Sequence, residues 1–226
     1  MTKFFVLSVP TVEQYKYAWF ETTDSARYSE DAPRCPTCLR DVGGHYWLPP
    51  FEVKIKQPRT VGDFVGGFGG CHLLLSNHAL KIVRSIDAES IIKEYPIRVV
   101  KMGTTKKSQE RSIPILTGVL FRKSATRVLF DRMGTIWQTK PSPTYCPTCG
   151  PGGGDDINGT WVSIKRIVIN ELSWSGEQLF LPMNLHGSFI ISDTMRAAFQ
   201  SSALTNFDAI PIEHYSKDYR TLRMPA

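Results

Sequence analysis

The chain has 226 residues, 42% of them hydrophobic and 21% charged, with a formal net charge of +6. That is ordinary globular composition with enough apolar content for a sizeable core, and no apolar run approaches the roughly 20 residues of a membrane span. The opening MTKFFVLSVP is too short for a signal-peptide core and no small-residue cleavage site follows it, so the expectation is a cytosolic protein whose five cysteines favour metal over disulfides.

In chain order, KFFVLSV (3–9) reads as a strand by its β-branched and aromatic content, and so does YKYAWF (15–20). The first cysteine pair follows in Cys35-Pro36-Thr37-Cys38. GGFGG (66–70) resembles a phosphate loop only superficially, because it lacks the Lys-Ser/Thr ending, and reads as a turn. The segment LLLSNHALKIVRSI (73–86) predicts an apolar strand, Ser76 as N-cap, then a helix with either Leu80, Val83 and Ile86 or Ala79, Ile82 and Val83 at helical spacing. A strand is expected to start at or after Pro96.

The second half of the chain repeats the order. IPILTGVLF (113–121) and TRVLF (126–130) read as strands, and the second cysteine pair follows in Cys146-Pro147-Thr148-Cys149-Gly150. WVSIKRIVI (161–169) reads as a strand after Asn158-Gly159, a two-residue hairpin signal. FIISDTMRAAFQSSAL (189–204) predicts a strand, Ser192 as N-cap and a helix, with another strand after Pro211. The cysteine pairs are 111 positions apart and the two serines 116. The pattern predicts an α+β fold of two similar β-rich pseudo-repeats, 1–110 and 111–226, forming one compact unit.

The paired cysteines have a physical logic. Two thiolates two residues apart reach one metal if the backbone turns tightly between them. Proline after the first cysteine presets φ, and glycine after the second can take φ > 0. The first copy has Leu39 in place of that glycine, so it is expected to be looser or differently turned. One knuckle supplies two ligands and zinc wants four. Cys35, Cys38, Cys146 and Cys149 are therefore read as one structural Zn²⁺ site that ties the two halves together. A thioredoxin-type redox pair, two local disulfides and a lost metal are the competing readings. His45, seven residues after Cys38, is weighed as a substitute ligand and reads better as a loop residue.

Cys71 beside His72 is not the usual arrangement of nucleophile and base, and Cys71 reads as a small buried residue. His78 and Asp193 fall in the first turns of the two helices. No nucleophile, base and oxyanion donor assemble, so no enzyme is expected.

The charge is uneven. From Arg98 to Lys140 there are ten basic and two acidic residues, so the segment carries +8 and the remainder −2. Lys101, Lys106, Lys107 and Arg111 are its candidate partner-facing residues, suited to acidic groups. The plain alternative is a solvated basic loop.

The doubled CPTC in a chain of this length resembles a bacterial paralogous family named for its double CXXCG motif. Cys146 to Gly150 matches the motif fully, whereas Cys35 to Leu39 matches the cysteines and departs at the glycine. The tail from Phe189 to Tyr215 also resembles the closing segment of several immunity-protein families. The resemblance covers essentially the whole chain. It implies a protein that binds and neutralises a cognate toxin delivered by sibling cells. The alternative is a zinc-containing nucleic-acid-binding or regulatory protein, which pI ≈ 9.1 permits.

Overall fold

The computed structural model describes residues 2–10, 17–55, 60–66, 72–102, 115–151, 160–185 and 187–218. Seven strands lead up to the first helix: β1 (Phe4–Ser8), β2 (Phe20–Thr22), β3 (Arg27–Tyr28), β4 (Trp47–Leu48), β5 (Glu52–Ile55), β6 (Phe64–Val65) and β7 (His72–Ser76). Helix α1 (Asn77–Asp87) leads into the long strand β8 (Ile91–Met102). Then come β9 (Leu116–Phe121), β10 (Ile136–Thr139), β11 (Thr160–Ile164), β12 (Leu179–Phe180) and β13 (Phe189–Ser192). Helix α2 (Asp193–Ser201), β14 (Asp208–Pro211) and β15 (Lys217–Asp218) close the described chain. The fold is α+β and mostly β. No helix among the described residues is long and apolar enough to cross a membrane.

The largest sheet runs β2-β5-β8-β9-β7-β6, a second runs β12-β13-β1-β14, and a third runs β10-β11-β15. Strands β3 and β4 pair separately. The second sheet reads across the chain: β1, from the start of the sequence, lies between β13 and β14 near its end. Conversely β9 lies between β7 and β8. The registers correspond. Phe4 faces Ser192 as Leu116 faces Ser76, and Phe5 faces Pro211 as Thr117 faces Pro96.

Both helices start where the sequence predicts. Ser76 accepts from the Ala79 N–H and Ser192 from the Met195 N–H, satisfying a donor that the first turn leaves open. Each capping serine also donates its hydroxyl to a side chain just before the short neighbouring strand. Ser76 donates to Asp63 at 2.6 Å and Ser192 to Gln178 at 2.5 Å. The last residue of α1 and the chain beyond α2 each reach the other bracket. Asp87 accepts the N–H groups of Gln178 and Leu179, and the Thr205 hydroxyl accepts the N–H of Asp63.

Burial follows from strand alternation. On β1, Phe5 and Leu7 join the largest core cluster with Leu74, Leu120, Phe189 and Phe199, while Phe4 and Val6 face a second cluster around Met133, Trp161 and Ile164. A strand buried on both faces reads as an unbroken apolar run, as FFVL does. His72, in β7, is 4% exposed and packs near the Tyr95 ring. Burial lowers its pKa to about 4, so it is neutral at pH 7.

Five strand expectations need correction. YKYAWF enters a strand only at its last residue, Phe20, where β2 begins: Tyr17 forms an isolated bridge with Thr60, and Tyr15 and Lys16 lie outside the described residues. TRVLF is not a strand either; Val128 makes a single bridge to Ile169, and Phe130–Arg132 is a 3-10 turn. WVSIKRIVI stops pairing as a strand at Ile164, because Lys165 turns its N–H to Met133 and Ile167 to Ile212. The prolines do not begin strands. Pro96 lies inside β8 where only β9 flanks it, and Pro211 ends the edge strand β14, positions where a missing donor is tolerated. Asn158-Gly159, Gly67 to Gly70 and Cys71 lie outside the described residues.

Candidate metal centre

The two knuckles meet. Cys35, Cys38, Cys146 and Cys149 bring their sulfur atoms within 4.8 Å of one another. The contacts pair equivalent positions. Cys35 Sγ lies 3.7 Å from Cys146 Sγ, and Cys38 Sγ lies 3.6 Å from Cys149 Sγ. Between them the Thr37 and Thr148 hydroxyls are 2.5 Å apart. Four sulfurs at ~2.3 Å from a tetrahedral metal stand ~3.8 Å from each other, so the spacing fits a four-thiolate ion. Such a set suits zinc or iron, and its four positions leave none open for a substrate.

Local geometry explains the convergence. Gly150 has φ +65° and donates its N–H to the Cys146 carbonyl at 2.8 Å; Leu39 has φ +59° and donates to the Cys35 carbonyl at 2.9 Å. The first knuckle is therefore turned like the second, which corrects the expectation of a different turn. Leucine in the left-handed region costs roughly 1–2 kcal/mol, and the closed turn holds it there with its side chain 69% exposed.

The knuckles are supported differently. The first is a self-contained hairpin: Cys35 N–H to Arg40, Val42 N–H to Pro33, and an ion pair of Arg34 with Asp41 at 3.3 Å. The second docks on the body. Asn184, 2% exposed, accepts the Val128 N–H and donates to the Val128 carbonyl while lying against Gly150. The Arg127 guanidinium donates to the Pro147 carbonyl. Cys35, Cys146 and Cys149 are buried with Val42 and Met183 against them, and Cys38 is exposed.

The surroundings favour thiolate at Cys146. Burial pushes its thiol up, but the backbone N–H groups of Cys149 and Thr148 and the thiols of Cys149 and Cys38 outweigh it and bring it down to about 6. Consecutive N–H groups aimed at sulfur are what the proline-preset turn provides.

His45 is exposed, and the group found among the described residues is the four cysteines alone. Lys106, Lys107 and Arg111 lie outside the described residues; Lys101 is in β8, with its side chain outside the description. The supports Asn184 and Arg127 had no signal in the sequence, since neither stands at a motif position. The chain matches no protein-family model, and a search of curated proteins gives no match.

Proposed function

We propose that this chain is a binding protein held by one structural zinc, and that it acts as an immunity protein neutralising a cognate toxin. The observation that carries the reading is the convergence of sulfurs 111 residues apart in sequence. The two CXXC units on which the family resemblance rests behave as one element, and a closed four-thiolate set holds structure and offers no site for chemistry. The immunity role rests on the resemblance. Zinc, in place of iron, rests on the sequence reading of the knuckles; the sulfur spacing suits both.

The same reading takes the chain as a duplicated unit whose first strands are exchanged. Its support is the shared register of β1 with β13 and β9 with β7, the two serine brackets, and the facing threonines. On this view 1–110 and 111–226 each lend a strand to the other's sheet and half a site to the metal, so neither stands alone.

Elemental analysis of the purified protein should give about one zinc per chain, with X-ray absorption showing sulfur at ~2.3 Å; absence of metal refutes the clamp. Co-expression with a toxin encoded beside it should give a one-to-one complex and survival. Neither complex nor survival refutes immunity, and steeply salt-dependent nucleic-acid binding would then take its place.

A further inference from the structure

The two halves differ at one position in a way that opens a groove. Strand β8 is continuous over 12 residues, pairing with β9 through Ile97 and with β5 from Arg98 onward. Its counterpart in the second half breaks at Ile212–His214 into β14 and β15, and His214 N–H closes the turn on Pro211. The break separates the three-stranded sheet from the four-stranded one. A cavity of 840 Å³ lies at that split, walled by the start of β1, the turn after β14, and the stretch Arg166–Ile169. Its size is that of a ligand site.

The chemistry of the walls is specific. Ile167, Ile169, Pro211 and Ile212 give an apolar floor, and Lys3, Arg132, Arg166 and Arg196 bring four cations against the carboxylates of Glu171 and Glu213. Arg166 spends its Nε on the Arg132 carbonyl, which holds its guanidinium in place. Arg196 lies over the Phe5 ring at 4.7 Å and is partly used by Asp193 at 2.7 Å. Leu172, next to Glu171, is 99% exposed. A bare leucine beside an apolar trough rimmed with cations is the composition of a recognition surface. Strand β14 ends its sheet, so its outer edge is open to an extended chain among the described residues.

We infer that this groove is a docking site for an extended acidic segment of a partner protein, with apolar side chains on the Ile167–Ile212 floor and carboxylates on Arg132 and Arg166. Charge selects the occupant. Four cations stand against two carboxylates, so the walls are net positive and favour an acidic segment. The inference rests on the binding-protein reading and assigns its interface to the groove.

The probe is a fluorescein-labelled eight-residue peptide alternating Glu and Val, read by anisotropy on the full chain, with a Lys-for-Glu peptide as control. The acidic peptide should bind and weaken with salt, and the lysine peptide should not bind. R132E with R166E should weaken binding about tenfold, while K81E with K140E, the same charge change on exposed residues outside the groove, should leave it within about twofold. Absence of binding, or equal losses in the two double variants, overturns the proposal. So does a dimer in sedimentation that the groove variant abolishes, because the occupant would then be a second copy. Peptide binding without protection from the toxin spares the groove and refutes immunity; protection that survives R132E with R166E refutes the groove as the toxin interface.

Discussion

The first knuckle is held by its own chain, and the second by the body of the protein. Both make the same turn, with φ +59° at Leu39 and +65° at Gly150. In the second the turn residue is glycine, a buried asparagine fills the space behind it, and an arginine clasps the proline carbonyl. The first has leucine at the strained position and an exposed Cys38, and its backbone hydrogen bonds among the described residues stay within the hairpin. A metal that joins them therefore joins a rigid half-site to a locally held one, and the metal supplies what the first lacks.

The sharpest way to break this comparison is to remove one ligand. C146S should abolish metal binding and cost about 5 kcal/mol or more, because metal affinity is folding free energy here. Elemental analysis and thermal melting check it; a variant that melts like the parent with metal bound would sink the clamp. Chelation separates the halves of the site more gently. Trypsin should then cut at Arg34 and Arg40 about tenfold faster, while cleavage at Arg127 changes little, since the second knuckle stays docked. Equal acceleration at all three sites would mean that the two supports do not differ.

N184A tests the docking itself. It strands the buried N–H and C=O of Val128, which should cost about 2–3 kcal/mol by chemical denaturation, more than any single exposed contact of the first knuckle.

The serine brackets offer a parallel contrast, charged in one half and neutral in the other. Burial acts to raise the Asp63 pKa, but hydrogen bonds from Ser76 and Thr205, helped by His78, set it below the ordinary 3.8. Its folded value is depressed, so its stabilisation is complete above 3.8 and is lost as pH falls through the lower folded value. The parent should lose about 1 kcal/mol there that D63N does not lose, measured by melting across pH 2 to 5. Gln178 has no such window, so Q178A should shift stability without changing its pH slope.

The smallest effect sharpens the knuckle comparison. L39G relieves a left-handed leucine, and it should stabilise the holoprotein by about 0.5–1 kcal/mol after the extra backbone entropy of glycine is counted. A destabilised L39G would show that the exposed leucine has a contact of its own.

The sequence by itself determined the local features. Cys-Pro-x-Cys fixes a tight turn because proline sets φ and the following residue closes back on the first carbonyl. Ser76 and Ser192 mark helix starts because a serine hydroxyl is the nearest acceptor for an orphan N–H. KFFVLSV declares a strand by its β-branched and aromatic content. The similar spacings of the knuckles, 111 residues, and of the caps, 116, suggested a common order in the two halves. What only the tertiary structure decided is pairing at a distance. Nothing in KFFVLSV says that it joins strands near residues 190 and 210, because backbone hydrogen bonds carry no address and apolar faces accept any partner of the right shape. YKYAWF and TRVLF have strand composition, yet among the described residues they make isolated bridges, Tyr17 to Thr60 and Val128 to Ile169, and no continuous ladder: only Phe20 enters a strand, and Phe130 begins a 3-10 turn. Leucine by itself does not favour positive φ, so the composition of the first knuckle hid a turn that the Leu39-to-Cys35 hydrogen bond closes. Asn184 had no signal at all, because its role comes from a space behind Gly150 that exists only once the chain is folded.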